Sequence, residues 1–145
     1  MALVQRVLQA RVDVAGHTVG AIGQGLLVLV CAEPDDSEAL ARKLVDKLLK
    51  LRIFSDDAGK MNRSVQDVGG GLLIVSQFTL AADLSGGNRP SFTGAAGPEQ
   101  GQALYNTVLR LAQDRHPVVA SGRFGADMQV HLVNDGPVTI PITLR

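Results

Sequence analysis

Apolar and polar residues alternate near the N-terminus, and the alternation is then replaced by an unbroken apolar run. In the segment 10-ARVDV-14, alanine and valine alternate with charged residues. A period of two is typical of a half-buried strand, so we expect one over 2–15 and, after a Gly-His turn, a returning strand over 18–22. The run 26-LLVLVCA-32 is apolar on both faces, which predicts a central strand.

Two later segments have the period of an amphipathic helix. The first follows Pro34, with Asp36 or Ser37 as its N-cap, and the second extends from about Pro98 to Gln113. The cations of the first helix lie mostly opposite its leucines, a pattern more typical of a solvated helix surface than of a phosphate-binding one. The leucines are Leu40, Leu44, Leu48 and Leu51, and the cations are Arg42, Lys43, Lys47 and Lys50.

The middle of the chain predicts short strands and loops. Residues 52–54 and 64–68 flank a polar segment that is typical of a hairpin connection. Three glycines then lead into an apolar strand over 72–80. Because a strand follows these glycines, rather than Gly-Lys-Ser/Thr and a helix, they do not form a phosphate-binding P-loop. The segment 83–99 is the longest irregular stretch, and loops of such length are often functional.

Three further strands are expected near the C-terminus, over 118–121, 127–134 and 138–144. An Asp-Gly pair separates the last two, as it does in many hairpins. No internal repeat or linker interrupts the pattern, so residues 1–145 are expected to form one domain. Several antiparallel-looking strands combined with two helices predict an α+β fold.

The composition is that of a globular protein and excludes few functions. Hydrophobic residues make up 46% of the 145 residues and aromatic residues only 3%, so the core is expected to be aliphatic. The formal net charge is zero, which gives no sign of a nucleic acid held by bulk charge. The first residues lack the apolar stretch of a signal peptide, and no apolar run is long enough to span a bilayer, which favours a cytoplasmic location.

Metal-binding and nucleophilic signatures are missing from the chain. Cys31 lies in the apolar run and is expected to be a buried free thiol, and a single cysteine allows no internal disulfide. His17, His116 and His131 are not spaced as metal ligands, and no cofactor fingerprint is present, so we expect neither metal nor cofactor. Ser76 does not lie in a Gly-x-Ser-x-Gly elbow.

Two stretches carry residues that a strand does not favour. At the end of 72-LLIVSQFTL-80, three polar side chains follow apolar ones, and such groups are costly in a sheet core unless they are paired. The alternative is a strand that leaves the core at that point. In 134-NDGPVT-139, proline removes a backbone N–H that a strand uses. This stretch is either a hairpin turn that contains proline or a rigid backbone wedge that presents carbonyl oxygens to a ligand.

Together the two stretches resemble the signatures of the D-aminoacyl-tRNA deacylases, Ser-Gln-Phe-Thr and Gly-Pro-Val-Thr. Both motifs stand intact and in order, at 76–79 and 136–139. The similarity extends over the whole length, through VQRV near the N-terminus, the LRIF…GKMN…SVQDVGG block, RPSF-x-GAA and GRFGADM. Each four-residue motif is weak alone, but both of them within this frame are specific.

The resemblance implies a compact α+β fold that forms a homodimer, with an antiparallel, barrel-like sheet and two main helices. It implies hydrolysis of the ester between a D-amino acid and the acceptor end of tRNA, with glycyl esters not fully rejected. In such enzymes the Gly-Pro bond is cis. The resemblance therefore implies that Gly136 and Pro137 of one subunit reach the site of the other, where their carbonyl oxygens exclude L-aminoacyl groups.

The resemblance also assigns roles to the first motif. Ser76 and Gln77 are implied to hold the strand end and the ribose, and the backbone of Phe78 and Thr79 to stabilise the oxyanion. Thr79 is a nucleophile on paper only, because the sequence places no base beside it. The 2′-hydroxyl of the terminal adenosine is implied to assist instead.

Two further residues have two interpretations each. Phe124 either lines the adenosine pocket, as its place in the GRFGADM motif implies, or belongs to the core. Arg6 either braces the Gly-Pro segment or is a surface strand arginine. Asn88 stands before Arg89 in a loop that is often more basic in this family, which disfavours a tRNA held by broad electrostatics.

Two other functions remain open from the sequence. A small dimeric esterase would use Thr79 or Ser76 on small esters, whereas a non-catalytic module would bind the tRNA end without turnover. The sequence does not identify the preferred D-amino acid or tRNA.

Overall fold

A computed structural model describes residues 1–145. In chain order the elements are β1 (Ala2–Val14), β2 (His17–Ile22), β3 (Gly25–Val30), α1 (Glu38–Lys50), β4 (Phe54–Ser55), β5 (Met61–Arg63), β6 (Gly71–Ser76), a short 3-10 helix (Phe78–Ala81), α2 (Pro98–Arg115), β7 (Val119–Ser121) and β8 (Gln129–Ile142).

The main sheet is mixed. β2 and β3 pair in succession with one edge of β1, at residues 10–14 and 2–7, and β8 pairs with the opposite edge. Beyond β3 the order continues with β6 and β7. β1 runs antiparallel to β2, β3 and β8, whereas β3 with β6 and β6 with β7 are parallel. The α+β class is thus confirmed, but the wholly antiparallel arrangement is wrong for these three strands. The reason is that α1 and α2 lie between them in the chain, and a helical crossover makes consecutive strands parallel.

The sheet is buried on both faces, as expected for the apolar run of β3. One face packs against the helices in a core cluster of 20 buried residues that includes Leu26 and Leu72. The opposite face encloses a smaller cluster of seven buried residues that includes Leu27 and Leu73. Successive residues of β3 and β6 therefore belong to different cores. This is why their sequences show no alternation of polar and apolar residues.

The sheet curls until its ends approach each other, which gives the expected barrel-like form. Gly20 of β2 lies so close to β7 that a Cβ built on it would be 2.2 Å from the carbonyl oxygen of Ser121. Only a residue without a side chain allows this backbone contact.

The last two predicted strands form one strand, and the predicted hairpin between them is wrong. Both halves of β8 pair with β1, but β8 uses seven residues from Val133 to Thr139 where β1 uses five from Gln9 to Gln5. Residues 135–138 of β8 bulge out of the ladder opposite Arg6 alone, while Leu8 of β1 is left without a partner at the neighbouring step. The Asp-Gly-Pro sequence therefore interrupts a strand without reversing it.

Two other predicted strands are shorter or absent. β6 ends at Ser76, so 77–80 do not continue the strand. The hairpin strand after β4 is β5, and residues 64–68 form a turn. In that turn the Ser64 N–H donates to the Asp67 carboxylate at 2.9 Å and the Asp67 N–H donates to the Ser64 hydroxyl at 3.1 Å. These reciprocal bonds compete with strand pairing.

Both helices form close to where the sequence predicts them. Ser37 is the N-cap of α1, and its hydroxyl accepts a hydrogen bond from the N–H of Leu40 at 3.4 Å. α2 extends two residues beyond Gln113, to Arg115. Neither helix has the length and apolar character that a membrane crossing requires.

Replacing Gly20 with alanine is expected to destabilise the protein by about 1–3 kcal/mol, because the new Cβ would force β2 away from β7. Gly23→Ala is a matched control, since a Cβ there meets nothing within 4 Å. Denaturant unfolding of both variants tests the sheet closure. Equal stability of the two variants would contradict it.

Candidate active site

A cavity of about 460 Å³ opens at the carboxyl ends of the parallel strands. Val30 at the end of β3 and Ser76 at the end of β6 form its floor, and Phe124 follows β7. The loop before α2 and the first turns of α2 complete the wall. Ligands commonly bind beyond the carboxyl ends of parallel strands, and this volume is within the usual range for a small-molecule site.

The lining of the cavity contains no charged side chain. Nine of its 15 residues are hydrophobic, and the polar groups are concentrated at the end of β6. Such a cavity suits an uncharged, partly aromatic group such as a nucleoside. It offers no group to pair with a phosphate.

The Ser-Gln-Phe-Thr motif lies where the chain leaves the sheet. The N–H of Gln77 makes a last bond to the carbonyl oxygen of Val30 at 2.7 Å, and the 3-10 helix begins at the next residue. The side-chain amide of Gln77 donates to the hydroxyl of Thr79. Of the two interpretations of the polar residues, the strand that leaves the core is therefore the one observed. Ser76 and Gln77 line the cavity and Thr79 is exposed beside it, so all three polar side chains lie outside the core.

Four aromatic rings surround the cavity. Phe78 is 58% exposed and meets Phe92 edge to face, with ring centroids 5.0 Å apart. Phe124 and Tyr105 are tilted against each other with centroids 5.9 Å apart. Phe124 both lines the cavity and packs against the main core, so its two interpretations are compatible.

Phe92 and Tyr105 were not among the residues expected at the site. Phe92 belongs to the RPSF-x-GAA block, which could have identified it. Tyr105 lies on the buried face of α2, where its hydroxyl donates to the carbonyl oxygen of Ile74 at 2.7 Å. Burial raises the pKa of this hydroxyl to about 12.

Cys31 also borders the cavity, as a buried free thiol. Its sulfur lies 3.5 Å from the carbonyl oxygen of Ala32 and 3.6 Å from that of Phe78. Burial raises the pKa of the thiol, so the neutral form is favoured and the expected inert role agrees with the geometry.

The bulge of β8 carries the second motif, and its Gly136-Pro137 bond is cis. Arg6 lies beneath it with a side chain that is only 11% exposed, so it is not a surface arginine. Its Nε donates to the carbonyl oxygen of Asp135 at 3.0 Å and its Nη1 to that of Ile53 at 2.7 Å. Both Gly136 and Pro137 are exposed.

Side-chain hydrogen bonds close the base of the bulge. The carboxamide of Asn134 accepts from the N–H of Val138 at 3.0 Å and donates to the hydroxyl of Thr139 at 2.9 Å. Gln5 of β1 also reaches that hydroxyl, at 3.5 Å. The bulge is therefore held on both sides, while its tip faces outward.

Within one chain the two motifs are far apart. The register aligns Ser76 with Ile142 of β8, three strands away. The bulge lies opposite Arg6, which aligns with Leu72, four residues before Ser76. Strand spacings and rises place the Gly136–Pro137 segment on the order of 15–20 Å from the cavity. Of the predicted site residues, the fold brings 76–79 and Phe124 together and leaves Arg6, Gly136 and Pro137 elsewhere.

The model of the D-Tyr-tRNA(Tyr) deacylase family matches residues 3–143. The chain belongs to this family. Membership confirms the resemblance seen in the two motifs, and with it the expectation of a hydrolase that acts on ester bonds.

Close relatives cover almost the whole chain. Proteins named D-aminoacyl-tRNA deacylase from Variovorax paradoxus and Methylibium petroleiphilum are each 71% identical to it, over 99% of this chain and 98% and 95% of theirs. A solved structure titled c-Myc DNA Unwinding Element Binding Protein is 41% identical with a TM-score of 0.94, covering 99% of this chain and 98% of that one.

A more distant solved structure supports the fold alone. It is titled as a probable eukaryotic D-amino acid tRNA deacylase and is 20% identical, with a TM-score of 0.81 over 96% of each chain.

The titration of Tyr105 offers a direct check on the cavity wall, because the chain has one tyrosine and no tryptophan. We expect the tyrosinate absorbance of the native protein to rise near pH 12, and that of the unfolded protein near pH 10. The raised native pKa stabilises the fold fully below pH 10, and this contribution is lost as the pH rises from about 10 to 12. A native transition near pH 10 would contradict the buried hydroxyl.

Proposed function

We propose that this enzyme hydrolyses the ester that joins a D-amino acid to the terminal adenosine of tRNA. The observation that carries the proposal is the uncharged, aromatic-walled cavity of about 460 Å³ directly beside the Ser-Gln-Phe-Thr turn. A nucleoside fits that volume and can stack on the rings. The ester would then lie at the rim, where Ser76, Gln77 and Thr79 are found. The substrate class follows from the names of relatives that are about 70% identical.

Chiral selection is assigned to the backbone of the bulge. Gly136 has φ +132° and no Cβ, and both Gly136 and Pro137 are exposed, so we propose that their carbonyl oxygens are open to a ligand. The amino group of a D-aminoacyl ester can donate to these oxygens while its side chain points outward. The L-enantiomer would place its Cβ against the same oxygens. A backbone wedge of this kind tolerates many D-side chains and does not fully exclude glycyl esters.

The backbone of the wedge must keep its position when a ligand contacts it, or it cannot exclude the L-enantiomer. Arg6 supplies one, because its buried guanidinium fixes Asp135 on the N-terminal side of the tip, and Asn134 and Thr139 fix the base. Charge-assisted bonds to backbone carbonyls are stronger than neutral ones and hold a defined direction.

A second subunit would bring the wedge to the cavity. The estimated separation of the two motifs within a chain is too large for one ester to contact both. Exposed apolar residues on β1 and β8 provide a surface for such a homodimer, with Leu8, Leu132 and Val133 between 36% and 54% exposed. These residues lie on the same two strands as Arg6 and the bulge. An interface here would therefore place the wedge of one subunit beside the other subunit.

The hydrolytic step is assigned to the RNA and the backbone. No histidine or carboxylate lines the cavity, and the hydrogen-bond partner of the Thr79 hydroxyl is the side-chain amide of Gln77, which cannot act as a base to activate it. The 2′-hydroxyl of the adenosine, adjacent to the ester, would assist the attack of water. Phe78 and Thr79 open the 3-10 helix, and the first N–H groups of a helix lack internal acceptors. These N–H groups are proposed to stabilise the oxyanion. Since aminoacyl-tRNA is used in cytoplasmic translation, the enzyme would act there.

Deacylation of D-Tyr-tRNA, L-Tyr-tRNA and Gly-tRNA tests the proposal. We expect the D-ester to be cleaved about 100-fold faster than the L-ester, since overpacking of a stiff wall costs up to about 3 kcal/mol. Gly-tRNA should be cleaved at a measurable rate. Thr79→Ala should retain most of the activity, because the hydroxyl is not the nucleophile.

The other outcomes separate the remaining functions. Equal cleavage of D- and L-esters, together with loss of activity in Thr79→Ala, would indicate a side-chain esterase. Binding of tRNA with no turnover of any ester would indicate a non-catalytic module.

A further inference from the structure

Positive charge is concentrated on one part of the surface of a chain whose total charge is zero. Residues 38–52 carry five cations and two carboxylates, a net charge of +3, so the rest of the chain carries −3. These residues comprise α1 and the two that follow it. The sequence pattern alone favoured an ordinary solvated helix face here.

The two carboxylates of α1 are each already paired with two cations. Glu38 contacts Arg42 at 3.6 Å and Arg110 of α2 at 2.9 Å. Asp46 contacts Lys50 at 3.0 Å and Arg115 of α2 at 3.2 Å. Two further cations on α1 therefore remain without a carboxylate partner, and they are Lys43 and Lys47.

The unpaired lysines border a surface recess. The recess has a volume of about 370 Å³ and is lined by Lys43, Asp46, Lys47, Lys50, Leu51, Arg52 and Leu144. Four of these seven side chains are cations, and the single carboxylate is already neutralised. Arg52 donates its Nε to the carbonyl oxygen of Asn62 at 3.0 Å, which fixes its stem and leaves its terminal nitrogens free of a carboxylate. The recess is built to attract an anion.

The loop that precedes α1 connects the cavity to the helix that carries these lysines. Ala32 lines the cavity, and the carbonyl oxygen of Pro34 accepts a hydrogen bond at 2.8 Å from the side-chain amide of Gln100, in the first turn of α2. Lys43 and Lys47 lie six and ten residues beyond Ser37, which is about 9–15 Å along the helix axis. At a spacing of about 3.4 Å per phosphate, one nucleic-acid strand covers that length in about three or four nucleotides.

We propose that this recess binds the phosphates of the tRNA acceptor stem a few nucleotides from the esterified adenosine; this inference rests on the proposed function. The cavity holds the terminal nucleoside without any cation, so charge-based affinity for the RNA backbone has to come from another surface. Lys43 and Lys47 supply it at the distance where the stem begins. Salt screens the attraction between these lysines and phosphates that lie further away than the Debye length, which is about 8 Å at physiological ionic strength. The lysines therefore act only on phosphates close to the recess.

The test uses Lys43→Gln and Lys47→Gln, singly and together, because glutamine removes the charge and keeps a good helix former. Lys60→Gln is the matched control, since Lys60 is an exposed lysine without a carboxylate partner on the loop between β4 and β5. Two quantities are measured for each protein. One is the affinity for uncharged tRNA at several salt concentrations, and the other is the turnover of D-Tyr-tRNA and of 3′-O-D-tyrosyl adenosine, which has no stem.

We expect the double variant to bind tRNA about tenfold more weakly at low salt, with a salt slope reduced by about 1–2. KM for D-Tyr-tRNA should rise by a similar factor with kcat unchanged, while turnover of the adenosine ester stays at the wild-type value. Lys60→Gln should match the wild type throughout.

Unchanged tRNA affinity and salt slope in the double variant would overturn the inference, as would an equal loss with the adenosine ester. A wild-type protein that cleaves neither ester would instead refute the proposed function, and the inference with it. Because the salt slope is measured without catalysis, the two failures can be told apart.

Discussion

The buried guanidinium of Arg6 is the contact on which the proposed selectivity depends. It lies between two strands and bonds the carbonyl oxygens of Asp135 and Ile53, at 3.0 and 2.7 Å. Without a donor here, two partly buried carbonyls would lose their partners, and the bulge of β8 would lose its support from β1. A bulge that is fixed at its base and exposed at its tip can present carbonyl oxygens in a constant direction. That constancy is what a steric test of chirality requires.

The opposite end of the sheet carries the other half of the proposed site. Three parallel strands end together there, and the polar residues of β6 emerge at their carboxyl ends beside an uncharged cavity. In the proposed function the cavity recognises shape and stacking and the bulge tests handedness, while the cations of α1 are proposed to bind phosphates. Each task is thus assigned to a different element. This proposal explains how a protein of 145 residues with no net charge would act on a large polyanion.

Local sequence signals predicted the parts of the fold that depend on local forces. The alternation in β1 and the Ser37 N-cap of α1 are formed as expected, because period and capping act within a few residues. The turn at 64–68 was missed, and the end of β6 was foreseen only as one of two interpretations. In both places side-chain and long-range hydrogen bonds, such as that of Gln77 to Val30, decide where pairing stops. No local pattern carries that information.

The site was predicted in a similarly uneven way. The motifs indicated Ser76 to Thr79, which lie beside the cavity, and Gly136 and Pro137, which lie in the bulge, but they did not indicate that β8 continues past the proline as one strand. The sequence pattern of each half predicts a separate strand, and the two halves form one strand only because both pair with β1. The burial of Arg6 was equally hidden, since a charged residue within an alternating strand is normally exposed. Tyr105 was missed because its role depends on a carbonyl 31 residues away in the chain.

Complementation between two inactive variants tests most directly whether one subunit lends its wedge to the other. In Gly136→Ala the new Cβ would lie 2.7 Å from the side chain of Val138 and 3.1 Å from that of Arg6, which disrupts the wedge. In Gly101→Phe the new ring would fill the cavity, because Gly101 lines it and a Cβ added there would lie 3.6 Å from the ring of Phe124. Mixed dimers of the two would contain one intact cavity facing one intact wedge. After random exchange half of the dimers are mixed, and each mixed dimer has one of its two sites intact, so we expect D-specific deacylation to recover to about a quarter of the wild-type value. A mixture no more active than its separate components would contradict a site shared between subunits.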